Sequence, residues 1–448
     1  MPDIVEASVP AGVSAPRLKL ANCLREVTSP QTILAASSSG ATERLQRLLE
    51  RYRPLLASLR LLESLEAVVS SPSLLARFML IHSPFEFLLA QLDKDPERKR
   101  EDHDYLVERV KLICLAPLLA SGARFTMTLR KRFLLKPVPI HHTNLILDLR
   151  AFGEDELVVA ASNDAVRFLG ESSFPDFAWD DSSALLRFSV ESAPFLLRNP
   201  ADYFVYSTEK ITDSEEFLSE DSPSYEIECR GERFEEIAEL IELAGAFIEA
   251  YDPRLLHELR FFVRAFVMDT CREGEGKVFY SSLRWQPGLV QMTPYLLGKR
   301  EGIKLEKSGD PLLVMLVAAQ MIHEGLHQKH FYLNSCEDPR PIDEGPRGFT
   351  RPEFSEAPIT CTWGERRGLN DLLNLAVSLG FEIRFLEYLL RTQSLRSDEA
   401  HFFERRLKRK RGYLLPLLVQ AELWRYGFSP EGQIVLEELF RLFGYRTT

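Results

Sequence analysis

Asp310-Pro311-Leu312-Leu313-Val314-Met315-Leu316-Val317-Ala318-Ala319-Gln320-Met321-Ile322-His323-Glu324-Gly325-Leu326-His327 is the stretch on which the reading of this chain turns. Asp310 is a good helix N-cap and Pro311 a good first helical residue, so a helix is expected to start there. Its run of apolar residues predicts burial. The turns that end the run carry H-E-x-x-H. Residues four apart on a helix sit nearly above one another, so His323 and His327 can present their imidazoles to a single cation. Glu324 lies about 100° around the helix, within reach of a water on that cation. The bland alternative is a buried helix with satisfied core histidines. Against it, three polar groups closing an apolar helix are costly to bury without a common purpose. A divalent metal used for catalysis is therefore expected, with His323 and His327 as ligands and Glu324 as the catalytic carboxylate.

Outward from the motif, His330 lies on the same face, either as an accessory ligand or as a histidine favoured by a helix C-terminus. His82, His103, His141, His142, His257 and His401 suggest no role. Before the motif, Lys277–Leu283 and Leu289-Val290-Gln291-Met292 read as a hairpin around Gln286-Pro287-Gly288. Earlier still, 237–251 and 255–268 read as a helix pair broken at Asp252-Pro253.

The fold class expected is α+β and mainly helical. Residues 1–40 read as a flexible N-terminus, with linker composition at Ala35-Ala36-Ser37-Ser38-Ser39-Gly40. A helical region spans 41–136, a strand-rich middle 137–230, and a helical metal-binding domain 231–448. Strands are expected at 144–149, 156–160, 184–188 and 203–206. The acidic, Ser-rich stretch 214–224 reads as a loop.

Composition limits function. The chain has 448 residues, 45% of them hydrophobic, and a net charge of −11. That balance disfavours nucleic-acid binding. The basic run Arg405-Arg406 with Lys408-Arg409-Lys410-Arg411 is expected to be a solvated helix face. Cys23, Cys114, Cys229, Cys271, Cys336 and Cys361 are scattered without C-x-x-C pairs and read as reduced thiols. No secretory signal is expected, and no apolar run reaches the ~20 residues needed to span a bilayer. A cytoplasmic protein with no membrane partner is expected.

Two reactions suit the motif. Zinc with Glu324 as general base would make a peptidase, its third ligand a downstream Glu among Glu344, Glu353, Glu356 and Glu365. Two histidines and a third group holding Fe(II), with positions left open, would make an oxygenase. A third possibility is a non-catalytic peptide-binding module whose metal is structural or lost, binding peptide by strand addition.

From about Phe234 to Leu390 the chain resembles the HExxH-type peptide β-hydroxylases of natural-product biosynthesis. The likeness rests on an order of features. These are the helix pair, Ser281-Ser282 with Pro287-Gly288-Leu289-Val290, and the apolar helix ending in His323-Glu324-Gly325-Leu326-His327-Gln328-Lys329. Trp363-Gly364-Glu365-Arg366-Arg367 and a helix over 368–380 follow. The resemblance implies an Fe(II)- and 2-oxoglutarate-dependent hydroxylase acting on a side-chain β-carbon of a ribosomally made peptide. His323 and His327 would then hold iron, and Arg366 or Arg367 would pair with a carboxylate. Members often carry a further histidine in the helix after the Trp–Arg element, and this chain has none. Asp371, Asn374 or Glu365 would stand in for it, with Glu344 and His330 as other sources of a third ligand. Zinc is the alternative metal.

Overall fold

Pro311–Glu337 is one helix of 27 residues, and most of the elements that build the candidate site pack on it. Asp310 caps it as expected, accepting from the backbone N–H of Leu312 at 2.9 Å. The helix does not stop at the motif. Tyr332 and Leu333 carry the apolar pattern onward, with Tyr332 stacked 5.7 Å from Phe78 and tilted against Phe262 at 5.5 Å, so the histidines sit mid-helix.

The computed structural model describes residues 15–81, 85–94, 100–134, 138–140, 143–162, 165–169, 173–174, 177–180, 185–188, 196–198, 204–208, 227–228, 230–269, 280–282, 288–294, 309–337, 348–351, 354, 359–360 and 366–443. The N-terminal helices are α1 (Ala15–Arg25), α2 (Pro30–Arg51), α3 (Arg53–Ser58), α4 (Leu62–Ser70), α5 (Leu74–Ile81), α6 (Phe85–Lys94) and α7 (Arg100–Ala120). The later ones are α8 (Glu232–Tyr251), α9 (Pro253–Phe262), the motif helix α10, α11 (Leu369–Thr392), α12 (Ser397–Leu423) and α13 (Pro430–Leu442). The protein is α+β and mainly helical.

Strands fill the middle. β1 (Phe125–Arg130), β4 (Glu156–Ser162), β5 (Ala165–Leu169) and β6 (Ser173–Phe174) form an antiparallel sheet. β2 (Val138–Pro139), β3 (Leu145–Leu147) and β9 (Leu196–Arg198) form a second, and β7 (Phe177–Asp180) pairs with β8 (Leu185–Phe188). The third sheet has the order β11-β10-β12-β14-β13, from β10 (Phe204–Thr208), β11 (Ile227–Glu228), β12 (Ala265–Asp269), β13 (Tyr280–Ser282) and β14 (Leu289–Met292). Within it β10, β12 and β14 run parallel. β13 and β14 form the expected antiparallel hairpin; the intervening Gln286 and Pro287 lie outside the described residues. β15 (Ile359–Thr360) pairs with β16 (Arg366–Arg367).

Three expectations are corrected. Residues 15–40 are not a loose leader. α1 and α2 occupy most of them, and Leu20, Leu24, Ile33 and Ala36 enter the same apolar core as the motif helix. In the Ser-rich stretch the hydroxyls satisfy themselves inside the helix: Ser37 Oγ donates to the Ile33 carbonyl at 2.7 Å. Gly40 is there for close approach, since a Cβ would fall 1.9 Å from the Cys336 carbonyl oxygen on α10. Second, the helical region does not reach 136. α7 ends at Ala120 and β1 follows. Third, the helix expected over 255–268 stops at Phe262, and 265–269 is instead a central strand with every residue buried. A fully buried parallel strand shows no alternation, so periodicity does not separate it from a buried helix.

The boundary at 40/41 dissolves with the first correction. α2 contributes Ile33, Ala36 and Ala41 to the motif-helix core, and Leu45, Leu48 and Leu49 to a second core shared with α4 to α7 and β1. The acidic stretch 214–224 lies outside the described residues. Among the described residues no helix is long and apolar enough to cross a membrane.

Candidate metal centre

α10 and α11 lie antiparallel, and the motif faces one stripe of α11. That stripe is Asn370, Asn374, Ser378 and Glu382, polar at every fourth position of a helix whose other buried residues are apolar, and all four are buried. The three motif-helix histidines meet these four positions between them. His330 Nε2 is 3.2 Å from Asn370 Oδ1. His327 Nδ1 is 2.9 Å from Asn374 Oδ1 and 3.1 Å from Ser378 Oγ. His323 Nδ1 is 2.9 Å from Glu382 Oε2, in charge contact but without hydrogen-bond alignment.

These contacts decide where the ring protons sit. An ionised carboxylate only accepts, so His323 carries its proton on Nδ1. Ser378 Oγ donates to the Asn374 carbonyl at 3.1 Å, which leaves it an acceptor toward His327. Asn374 Oδ1 accepts as well, so His327 also carries its proton on Nδ1. Both Nε2 lone pairs are then free, and they lie 3.2 Å apart, with ring planes at 89°. Two bare lone pairs at that distance repel unless a cation lies between them. With metal–nitrogen bonds of ~2.0–2.1 Å, this separation gives an angle of about 100° at the ion, between tetrahedral and octahedral values. The donor set fits a divalent transition metal.

Burial keeps both rings neutral and ready to bind. It lowers the His323 pKa, helped by the Lys410 charge and opposed by Glu382. It lowers that of His327 to about 4, opposed by the Asn374 hydrogen bond. His323 is buried and His327 half-buried. Glu324 completes the group: one ligand atom from each of His323, Glu324 and His327 lies within 4.8 Å of the others. Its Oε1 accepts from Gln320 Nε2 at 2.8 Å.

The other named candidates divide. Asn374 points at the back of His327 and is a support, not a third ligand. His330 is buried against Asn370, with burial lowering its pKa to about 3, and it joins neither the metal group nor a helix C-terminus. Asp371 lies on α11 outside the group. Arg367, on β16, is close enough for its charge to be felt at His327. Arg366 pairs with Thr360 in the same ladder, but its side chain lies outside the described residues. So do Glu344, Glu353, Glu356 and Glu365.

The basic run is not simply a solvated face. Arg406 and Lys410, four apart on α12, are buried. Arg406 donates to Glu382 Oε1 at 2.7 Å, and Lys410 Nζ lies 2.8 Å from Glu382 Oε2. Burial alone would raise the Glu382 pKa, but Lys410 and Arg406 hold it well below the usual carboxylate range. Arg405, Lys408 and Arg411 are exposed, as expected.

The rest of the motif anchors the helix. Gln328 Oε1 accepts from the Gly288 N–H at 2.6 Å, and its Nε2 donates to the Leu289 carbonyl at 3.0 Å, tying α10 to the start of β14. Lys329 Nζ lies 2.7 Å from Glu258 Oε1 on α9 and donates to the Glu26 carbonyl at 2.7 Å. Sequence reasoning missed Glu382, Ser378, Gln320, Arg406 and Lys410. The four-residue polar spacing of α11 was the signal that would have found the first two. The chain matches no protein-family model and no curated protein.

Proposed function

We propose that this chain is a non-haem Fe(II)- and 2-oxoglutarate-dependent hydroxylase that acts on a side-chain β-carbon of a peptide. The observation that carries the proposal is the pair of Nε2 atoms 3.2 Å apart, each ring held from behind at Nδ1. Bound there, Fe(II) with 2-oxoglutarate supplies the power to insert oxygen into a C–H bond. The balance is R–H plus O₂ plus 2-oxoglutarate giving R–OH, succinate and CO₂.

Three features support an oxygenase. The stripe of α11 facing the motif spends its polar side chains on the far sides of the histidines, so it offers no third donor. Among the described residues only Glu324 joins the pair, and open positions are what a chelating keto acid and oxygen require. The charges point the same way. Among the described residues Glu324 and Glu382 lie with Arg406 and Lys410 around the pair, and a divalent ion adds two positive charges in a poorly solvated site. A dianionic keto acid neutralises them, with Arg367 as its carboxylate partner. Gln320 keeps Glu324 turned toward itself, and the half-buried side at His327 is where the peptide side chain enters.

Glu324 beside the pair favours a second reading, a zinc peptidase in which it is the general base. One experiment separates them. The protein is reconstituted anaerobically with Fe(II), then given 2-oxoglutarate, oxygen and a precursor peptide encoded nearby. Succinate and a one-oxygen mass gain on the peptide support the hydroxylase. Peptide fragments, tightly bound zinc and loss of cleavage in Glu324→Gln establish the peptidase.

A further inference from the structure

We infer that Glu382, gripped by Arg406 and Lys410, is a positioning residue for the metal pair, and that the same Arg406 aligns Glu324 through Gln320. This rests on His323 and His327 being metal ligands.

A closed circuit runs behind the motif. His323 Nδ1 meets Glu382 Oε2 at 2.9 Å. Arg406 Nε and Nη2 donate to Glu382 Oε1 at 3.2 and 2.7 Å. Arg406 Nη2 also donates to Gln320 Oε1 at 3.1 Å, and Gln320 Nε2 donates to Glu324 Oε1 at 2.8 Å. Glu324 adjoins His323 in the chain, which closes the loop. Lys410 holds the other Glu382 oxygen.

The hydrogen-bonded links have determinate directions. Arg406 only donates, so the Gln320 amide must turn its oxygen to Arg406 and its NH₂ to Glu324. Glu324 therefore presents an accepting oxygen to Gln320. On the other branch, Glu382 is fixed by ion pairs to Arg406 and Lys410 and lies behind His323 Nδ1, so the ring turns Nε2 toward His327. One buried guanidinium thus sets both the orientation of the first ligand and the aim of the carboxylate beside it.

Folding alone does not call for this arrangement. A buried charged cluster is costly, and apolar residues of similar volume are often as stable or more so. A carboxylate behind a ligating histidine instead serves the metal: it fixes the ring and raises its basicity, and losing it typically costs 10–100-fold in affinity.

The test uses the full chain and Co(II) alone, with affinity measured by competition against a chelator and the visible ligand-field spectrum recorded. Glu382→Gln and Lys410→Met are each expected to weaken Co(II) binding at least tenfold and to shift the absorption bands. The double variant Glu382→Gln/Lys410→Met removes one charge of each sign. It is expected to recover thermal stability relative to Glu382→Gln while its affinity stays at least tenfold down, which a merely structural role does not produce. If the double variant does not fold, Lys410→Met alone is judged by the same affinity and spectrum. Wild-type affinity and an unshifted spectrum in the folded variant overturn the positioning role and leave the metal site standing. A wild-type chain that binds no Co(II) overturns the metal site itself, and this proposal with it.

Discussion

Asn374 Oδ1 lies 2.9 Å from His327 Nδ1, and this contact makes His327 an acceptor on its other side. Replacing Asn374 with Ala removes the partner and frees the tautomer. Affinity for Fe(II) or Zn(II) is expected to fall by about 10–100-fold, the usual cost of losing such a support. Ser378→Ala, which leaves Asn374 in place, is expected to cost less. Equilibrium dialysis with each metal reads both effects.

His330 gives the protein an acid limit. Burial lowers its pKa to about 3, below its ordinary value of ~6.5. A group whose folded pKa is depressed has its full stabilising effect above the unfolded value and loses it as pH falls. The window here runs from about 6.5 down to about 3. By pH 5 the loss from one such histidine is about 2 kcal/mol relative to pH 7. Urea unfolding midpoints at pH 7 and pH 5 measure it. His330→Gln, which keeps an amide facing Asn370, is expected to shrink the difference by about that 2 kcal/mol, the remainder coming from His323 and His327, whose pKa values burial also lowers.

Lys329 and Glu258 form an ion pair 2.7 Å long with both side chains out of solvent. Among the described residues, Lys329→Met leaves the Glu258 carboxylate with only Thr28, whose N–H and hydroxyl each donate to it at 3.1 Å. An uncompensated buried charge costs about 3–5 kcal/mol. The double variant Lys329→Met/Glu258→Leu is expected to regain most of that in chemical denaturation. If the single variant loses under 1 kcal/mol, the pair is not holding α10 to α9.

Gly40→Ala places a methyl 1.9 Å from a backbone carbonyl of α10. A backbone atom gives way less readily than a side-chain tip, so overpacking at the upper end of the usual range, about 3 kcal/mol, is expected. Differential scanning calorimetry measures it. Gly412→Ala on α12, where an added methyl meets nothing within 4 Å, is the matched control and should be neutral or slightly stabilising.

What the sequence made legible follows physical lines. The ligand pair was readable because four-residue spacing on one helix is local geometry. The supports were not, because Asn374, Ser378 and Glu382 meet the histidines across two antiparallel helices 47 to 59 positions on, and no pattern within the motif helix implies a partner. Only the spacing of polar residues along α11 hinted at a face with a purpose. Charge runs mislead for a related reason: Arg406 and Lys410 share a run with solvated neighbours, and helix phase alone sends them inward. Ala35 to Gly40 has linker composition, but Ser can bond its own helix backbone and Gly can admit a neighbouring one. The strand at Ala265–Asp269 reads as continued helix because a strand buried on both faces carries no alternation.

The central claim is that His323 and His327 converge on one metal ion. Metal content of the purified chain after anaerobic reconstitution with Fe(II), compared with His323→Ala and His327→Ala prepared in parallel, tests it most directly. The account predicts about one iron per wild-type chain, as a single two-histidine site requires, and far less in either variant. No stoichiometric metal in the wild type with either Fe(II) or Zn(II), or equal metal in wild type and variants, contradicts it.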